Sequence, residues 1–156
     1  MSSAEARLKA LGLQLPPVSK PAASYVTAVR SGSLVFLSGQ GPLADGRVVY
    51  AGKVGADLTE EQGYQAARLT LLNSLAVLRE AAGSLDAVAR IVKLLGWVCS
   101  APGFQRQHMV MNGASDLLCE LFGEQGRHAR SAVSAHELPF GIAVEIEMVA
   151  ELVPGA

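Results

Sequence analysis

The chain has 156 residues, a formal net charge of −1 and a pI near 6.3. This length predicts one domain, and the charge balance argues against a nucleic-acid partner, whose phosphates require an excess of Lys and Arg. Half of the residues are hydrophobic and only 17% are charged, which predicts an apolar surface that is covered by an obligate subunit interface.

The sequence also predicts a cytoplasmic protein without a membrane or metal partner. No run of apolar residues is long enough to span a bilayer, and the first residues do not read as a signal peptide. Cys99 and Cys119 lack the CxxC spacing, which favours reduced thiols. The three histidines share no metal-ligand spacing on one element, so no metal site is expected.

Residues 1–22 are predicted to form an N-terminal arm, and residues 23–156 a single domain. The arm begins with a short helix over 3–12, which Gly12 ends, and continues as a proline-containing extended segment. Strands are predicted over 24–30, 34–38 and 47–50. A tight bend is expected at Gly39-Gln40-Gly41-Pro42.

Two helices separate these strands from the rest of the predicted sheet. Thr59 and Gln62 have the spacing of a capping box, which predicts a helix that runs to Ala82 and ends at Gly83. Residues 89–100 favour a central strand that is buried on both faces. A second helix is predicted over 104–122.

The last part of the chain predicts two strands, over 129–135 and 142–153. The second alternates between apolar residues and a face that carries three glutamates, which is typical of a strand with one dry face. The resulting order, β-β-β-α-β-α-β-β, predicts an α+β sandwich with two main helices on one face of a mixed sheet.

Arg130 and Glu145 stand out as a candidate site. The planar arginine fork fits a carboxylate through two hydrogen bonds, and a nearby carboxylate can position or deprotonate a water. The alternative is that Arg130 forms a structural ion pair with Glu145, Glu147 or Glu151.

Taken together, several segments resemble the YjgF/YER057c/UK114 family, also called Rid, for reactive intermediate deaminase. Their order and spacing match from about residue 23 to residue 153. The C-terminal segments are the most specific. The matching segments are Tyr25-Val26, Phe36-Leu37-Ser38-Gly39-Gln40, Glu80 to Gly83, Asn112, Ala129-Arg130-Ser131, Leu138-Pro139 and Val144-Glu145-Ile146-Glu147.

The resemblance implies a chorismate-mutase-like (bacillus type) fold and a homotrimer with clefts between subunits. It implies hydrolysis of a small 2-imino acid to a 2-keto acid and ammonia, without a cofactor. Arg130 would bind the substrate carboxylate and Glu145 would hold the attacking water. The residues that would line or support the cleft are Tyr25, Ser38, Gly39 and Asn112.

Several alternatives remain open at the level of sequence. Ala132 replaces a cysteine that is common in the family, although its backbone carbonyl could still contact substrate. Tyr25 could simply be a packing residue, Ser38 a turn residue, and Asn112 either the cap of a loop or a brace for Arg130. The whole chain could instead be a non-catalytic module that binds a small carboxylic metabolite. Endoribonuclease activity, a label of the family, is disfavoured by the near-neutral charge and the lack of stacking aromatics.

Overall fold

A mixed β-sheet forms the body of the protein. The computed structural model describes residues 2–156, so Met1 of the predicted arm lies outside the described residues. The main strands are β1 (Ala28–Ser31), β2 (Leu34–Gln40), β5 (Val88–Cys99), β6 (Ala129–Ala135) and β7 (Val144–Leu152). They lie in the order β1-β2-β7-β5-β6, where β5 and β6 are parallel and the other neighbours are antiparallel. A separate hairpin pairs β3 (Leu43–Ala44) with β4 (Arg47–Val48).

Three helices accompany the sheet: α1 (Ala4–Ala10), α2 (Glu60–Ala82) and α3 (Gln107–Phe122). Helix α2 packs on β2 and β7, and α3 packs on β5 and β6. The predicted capping box is confirmed, because Thr59 and Gln62 exchange hydrogen bonds of 2.8 and 3.1 Å. Within residues 2–156, no helix is long and apolar enough to cross a membrane.

The two faces of the sheet have different surroundings. Alternate residues of β7 are buried beneath the helices, as the period-two pattern predicts. The opposite face carries Val29 and Phe36, which are 55% and 45% exposed. We call this second surface the open sheet face; in ladder order its apolar residues are Val29, Phe36, Val149, Leu95, Trp97 and Val133.

Several predicted boundaries are wrong. The first strand begins at Ala28 rather than at residue 24, since a turn that joins the Tyr25 amide to the Ala23 carbonyl at 2.9 Å interrupts extended structure. Helix α3 begins at Gln107 rather than at residue 104, because the Phe104 amide closes a separate turn. The strand predicted over 47–50 corresponds to β4, which is only two residues long.

The predicted bend at Gly39 to Pro42 is also placed too early. Strand β2 continues to Gln40, and its register against β7 shifts between Leu37 and Gln40. Three steps along β2 match two along β7, from Met148 to Ile146, which is the geometry of a β-bulge. The bulge therefore contains Ser38 and Gly39.

The arm packs on the domain through its helix. Ala4 and Leu8 are buried in the same core as α2 and α3. Glu5 adds polar contacts, since its carboxylate accepts a hydrogen bond from the Leu85 amide at 3.0 Å and lies 3.7 Å from the Arg79 guanidinium. These contacts fix the start of the segment that leads to residues 19–23.

Gly113→Ala should destabilise the fold. A Cβ at this position would lie 2.0 Å from the carbonyl oxygen of Tyr64 in α2, and backbone cannot move aside as a side chain can. We expect chemical denaturation to give a loss of about 1–3 kcal/mol or more in unfolding free energy. Gly63→Ala is the matched control because its Cβ would meet only side-chain methyl groups at 3.1 Å. Equal effects of the two substitutions would contradict this account of the α2–α3 contact.

Candidate functional site

Glu145 lies on the open-face side of β7, opposite Trp97 of β5. It borders a cavity of about 320 Å³. Tyr25, Gly39 and Phe140 also line this cavity, and residues 19–23, where the arm joins the domain, close one side. The structure therefore brings three of the sequence-predicted residues, Tyr25, Gly39 and Glu145, together around one space.

The bulge in β2 makes room for the Glu145 side chain. A Cβ on Gly39 would lie 2.8 Å from both Cδ and Oε2 of Glu145. Such a contact is closer than van der Waals packing allows. Glycine at this position therefore lets the carboxylate lie directly against the β2 backbone.

Ser38 holds the segment that carries Tyr25. Its hydroxyl donates a hydrogen bond of 2.6 Å to the Val26 carbonyl, and its backbone amide donates to Thr27 at 2.9 Å. Tyr25 is 48% exposed, so it is a cavity residue rather than a core packing residue. Ser38 thus acts on the cavity through the backbone that it anchors.

The surroundings of the Glu145 carboxyl shift its pKa upward. Burial raises its pKa, and the neighbouring Glu147 carboxylate raises it further. Neither cause is a hydrogen bond, so within the described chain the carboxylate remains able to accept one from water. A carboxylate with a raised pKa is a stronger base than an ordinary glutamate.

Arg130 is seated on helix α3 by three hydrogen bonds. Its Nη1 donates to Asn112 Oδ1 at 2.9 Å and to Ser115 Oγ at 3.1 Å, while Nη2 donates to the His108 carbonyl at 3.1 Å. Asn112 therefore braces Arg130, which decides between its two predicted roles. Burial lowers the pKa of Arg130, and the carboxylate of Asp116 opposes this shift.

The guanidinium keeps donors for a ligand. Arginine has five N–H groups, and the three bonds to α3 leave the Nε–H and one Nη2–H without an acceptor among residues 2–156. All three acceptors are neutral. The positive charge and two donors on adjacent nitrogens therefore remain for a carboxylate to bind in the bidentate manner.

Arg130 and Glu145 do not meet within one chain. Arg130 pairs with the buried Leu94 and points toward α3, whereas Glu145 pairs with Trp97 and alternates with residues that are buried under the helices. The two side chains thus lie on opposite faces of the sheet, with β5 between their strands. For the same reason Arg130 forms no ion pair with Glu145, Glu147 or Glu151, the alternative that the sequence left open.

Two further residues, Ser115 and His128, belong to the Arg130 cluster and were missed by sequence reasoning. Ser115 Oγ lies 2.9 Å from Nε2 of His128. Their spacing carried a usable signal: Ser115 follows Asn112 by one helical turn, and His128 precedes Arg130 by two residues. Ala132, also predicted to contact substrate, packs its side chain against the core from β6.

Under the hypothesis that Glu145 activates water, Gly39→Ala is expected to impair turnover while leaving the fold intact. The new methyl group would displace the flexible end of Glu145 rather than backbone, so the melting temperature should change little. Misplacing a catalytic group by about 1 Å can reduce the rate about 100-fold. The check is kcat for Gly39→Ala in the wild-type and Glu145→Gln backgrounds; a full further loss in the second would contradict action through Glu145.

Comparison with known proteins finds relatives that match almost the whole chain. Residues 5–152 match the family model described as "YjgF/chorismate_mutase-like, putative endoribonuclease". Protein TCP17 of Trypanosoma cruzi is 46% identical over 148 residues, which cover 94% of this chain and 92% of that protein.

Two solved structures place the fold among its relatives. The protein Atu1372 of Agrobacterium tumefaciens, whose function is unknown, is 42% identical with a TM-score of 0.89, over 96% of this chain and 92% of that one. Escherichia coli TdcF with bound serine is 27% identical with a TM-score of 0.60, over 89% and 94%. The chain therefore belongs to the YjgF/UK114 family and has its chorismate-mutase-like fold.

Proposed function

We propose that the protein hydrolyses small 2-imino acids to 2-keto acids and ammonia at sites formed between neighbouring copies of the chain in a homotrimer. The observation that carries this proposal is the seating of Arg130. Three neutral acceptors hold its guanidinium, and two N–H groups remain for a carboxylate. The positive charge of Arg130 is thus held in place without an anionic partner among residues 2–156 of its own chain, and an anionic ligand can bind to it.

The chemistry requires little beyond positioning. With the substrate carboxylate on Arg130, Glu145 removes a proton from a water whose oxygen bonds to the electrophilic C2 carbon, and the C=N electrons move to nitrogen. The protonated Glu145 then returns its proton to that nitrogen. Glu145 next takes the proton of the new hydroxyl and passes it to the amino nitrogen as the C–N bond breaks, so the nitrogen leaves as ammonia and the 2-keto acid forms. No cofactor is required for these steps.

A neighbouring copy is needed because one chain separates the two groups across its sheet. The open sheet face offers the apolar surface for this association, with Val29, Phe36 and Val133 at 55%, 45% and 39% exposed. Light scattering coupled to size exclusion tests the trimer directly. A monomer at assay concentration would contradict the proposed site.

Two observations support a small carboxylic substrate. The cavity beside Glu145, at about 320 Å³, falls within the usual size range of small-molecule sites. The family member TdcF was solved with serine bound, and serine carries a carboxylate beside an amino-substituted carbon. Two cysteines without a disulfide also fit a cytoplasmic setting.

The test measures keto-acid release from 2-iminobutanoate or 2-iminopropanoate that is generated in situ. Wild-type protein should accelerate release over buffer, and Arg130→Ala should remove most of the acceleration. If wild type and Arg130→Ala both match buffer, the proposal fails for these substrates.

A non-catalytic binding role is the second candidate, because the hydrogen bonds that hold Arg130 do not depend on Glu145. Calorimetric binding of 2-oxobutanoate without turnover of any imine would favour it.

Endoribonuclease activity, which the family description names, is disfavoured by the net charge of −1 and by the glutamates on β7. Cleavage of single-stranded RNA that disappears in Arg130→Ala would favour it instead.

A further inference from the structure

The hydrogen bonds around His128 define which of its ring nitrogens carries the proton. Nδ1 lies 2.6 Å from the carbonyl oxygen of Gly126. A carbonyl can only accept, so Nδ1 carries the hydrogen and donates it. In the neutral ring Nε2 is then an acceptor, and the Ser115 hydroxyl, 2.9 Å away, must donate to it.

This assignment fixes the direction in which the Ser115 hydroxyl donates its hydrogen. Once its hydrogen points to His128, its lone pairs remain for Arg130, whose Nη1 donates to Oγ at 3.1 Å. The bonds therefore run in one sense from Arg130 through Ser115 and His128 to the Gly126 carbonyl. Together with the bonds to Asn112 Oδ1 and to the His108 carbonyl, this series of hydrogen bonds fixes how the guanidinium is rotated.

Protonation of His128 would disturb the arrangement. A charged ring donates from both nitrogens, so Nε2 would donate to Ser115, whose own hydrogen would then lose its acceptor. The imidazolium would also lie one hydroxyl group away from the guanidinium. Burial already lowers the pKa of His128, and the charge of Arg130 lowers it further, against the opposing effect of the Gly126 bond.

The other charged groups near His128 do not offset this repulsion. Arg90, Arg127 and Glu151 line the same surface depression as the ring. Arg127 is paired with Glu124 at 3.5 Å. Asp116, on α3, accepts a hydrogen bond from Tyr64 at 2.8 Å, and its charge also raises the pKa of Arg130. Arg90 lies opposite Glu151 in the sheet, so Arg130 is the charge that acts on the ring, and it favours the neutral form.

We propose that His128, through Ser115, is a positioning residue that holds the Arg130 guanidinium in its carboxylate-binding orientation only while the imidazole is neutral. The inference rests on the proposed function, because it concerns the carboxylate that Arg130 binds there. It assigns to this chain a loss of substrate affinity on acidification that is separate from the titration of Glu145.

The experiment is a calorimetric titration with 2-oxobutanoate from about pH 8 to about pH 4, which extends below the usual histidine range because burial lowers the pKa of His128. All proteins carry Glu145→Gln, which removes the other titrating group. Binding should weaken by about tenfold or more on acidification, the effect of losing roughly one hydrogen bond to a charged group. His128→Gln, which keeps an acceptor near the Nε2 position but cannot charge, should bind well at every pH. Ser115→Ala should bind weakly throughout.

The outcomes separate this inference from the proposed function. The same pH profile in His128→Gln and its His128 parent would overturn the positioning role. If the protein binds no keto acid at any pH, the proposed function fails, and the positioning role is then judged by NMR of the ring and guanidinium. The positioning role is supported if His128 is in the Nδ1–H form. It is supported further if the Arg130 signals shift as His128 becomes charged and do not shift in His128→Gln. The opposite tautomer or unchanged Arg130 signals overturn it.

Discussion

Arg130→Ala is expected to reduce kcat/KM for imino acids by about 100-fold, because two charge-assisted hydrogen bonds to the substrate carboxylate disappear. Arg130→Lys should recover only part of the loss, since an ammonium keeps the charge without the planar fork. The loss should appear mainly in KM and in keto-acid affinity. Initial rates and calorimetry on the purified variants measure both.

Arg127→Ala is the matched control for Arg130. Arg127 lies three residues earlier, is exposed and pairs with Glu124 in a surface ion pair of 3.5 Å, which contributes little to stability. It should keep wild-type rates. If both arginine variants lose activity equally, the effect is one of general charge, and the specific role of Arg130 is wrong.

Glu145→Gln should show the second large effect, a decrease in kcat of about 10²- to 10⁴-fold, which is the usual contribution of a general base. Keto-acid binding should be retained because Arg130 binds the carboxylate, and the three hydrogen bonds that hold Arg130 do not involve Glu145. Glu147→Gln is the control: it lies on the same face of β7 and is exposed, so it should change kcat far less, only through its lesser effect on the Glu145 pKa. A Glu145→Gln variant with near-wild-type kcat would remove the water-activating role.

The pH dependence of the same residue can be predicted in sign. Since burial and Glu147 raise the pKa of Glu145, the acid limb of the kcat profile should lie above the ordinary glutamate value of 4.5. The folded state holds this proton more tightly than the unfolded chain does. The free energy of unfolding therefore decreases as the pH rises from the unfolded to the folded pKa of Glu145. Glu145→Gln should therefore melt no lower than wild type at neutral pH. An acid limb at or below 4.5 would contradict the raised pKa.

Local sequence signals predicted much of the fold. The Thr59–Gln62 box and the glycine after Ala82 defined α2 because capping is a property of a few neighbouring residues. The alternation in β7 identified its buried side for the same reason. The start of β1 could not be predicted, since a turn at Ala23 and Tyr25 overrides residues that favour a strand.

The candidate site was only partly predictable, because its geometry depends on strand register. The family motifs identified Arg130 and Glu145, but the faces on which they lie follow from the pairing of Leu94 with Arg130 and of Trp97 with Glu145. Pairing between distant strands has no short-range signal. The bulge that places Gly39 against Glu145 is likewise a property of two paired strands.

The most direct test of a shared site is complementation between two inactive variants. Arg130→Ala and Glu145→Gln chains, each nearly inactive alone, are unfolded together and refolded as mixed oligomers. If each site takes Arg130 from one copy and Glu145 from the next, about one quarter of the sites in a random mixture are intact, and about a quarter of wild-type activity should return. A mixture that is no more active than the separate variants would contradict a site built from two chains.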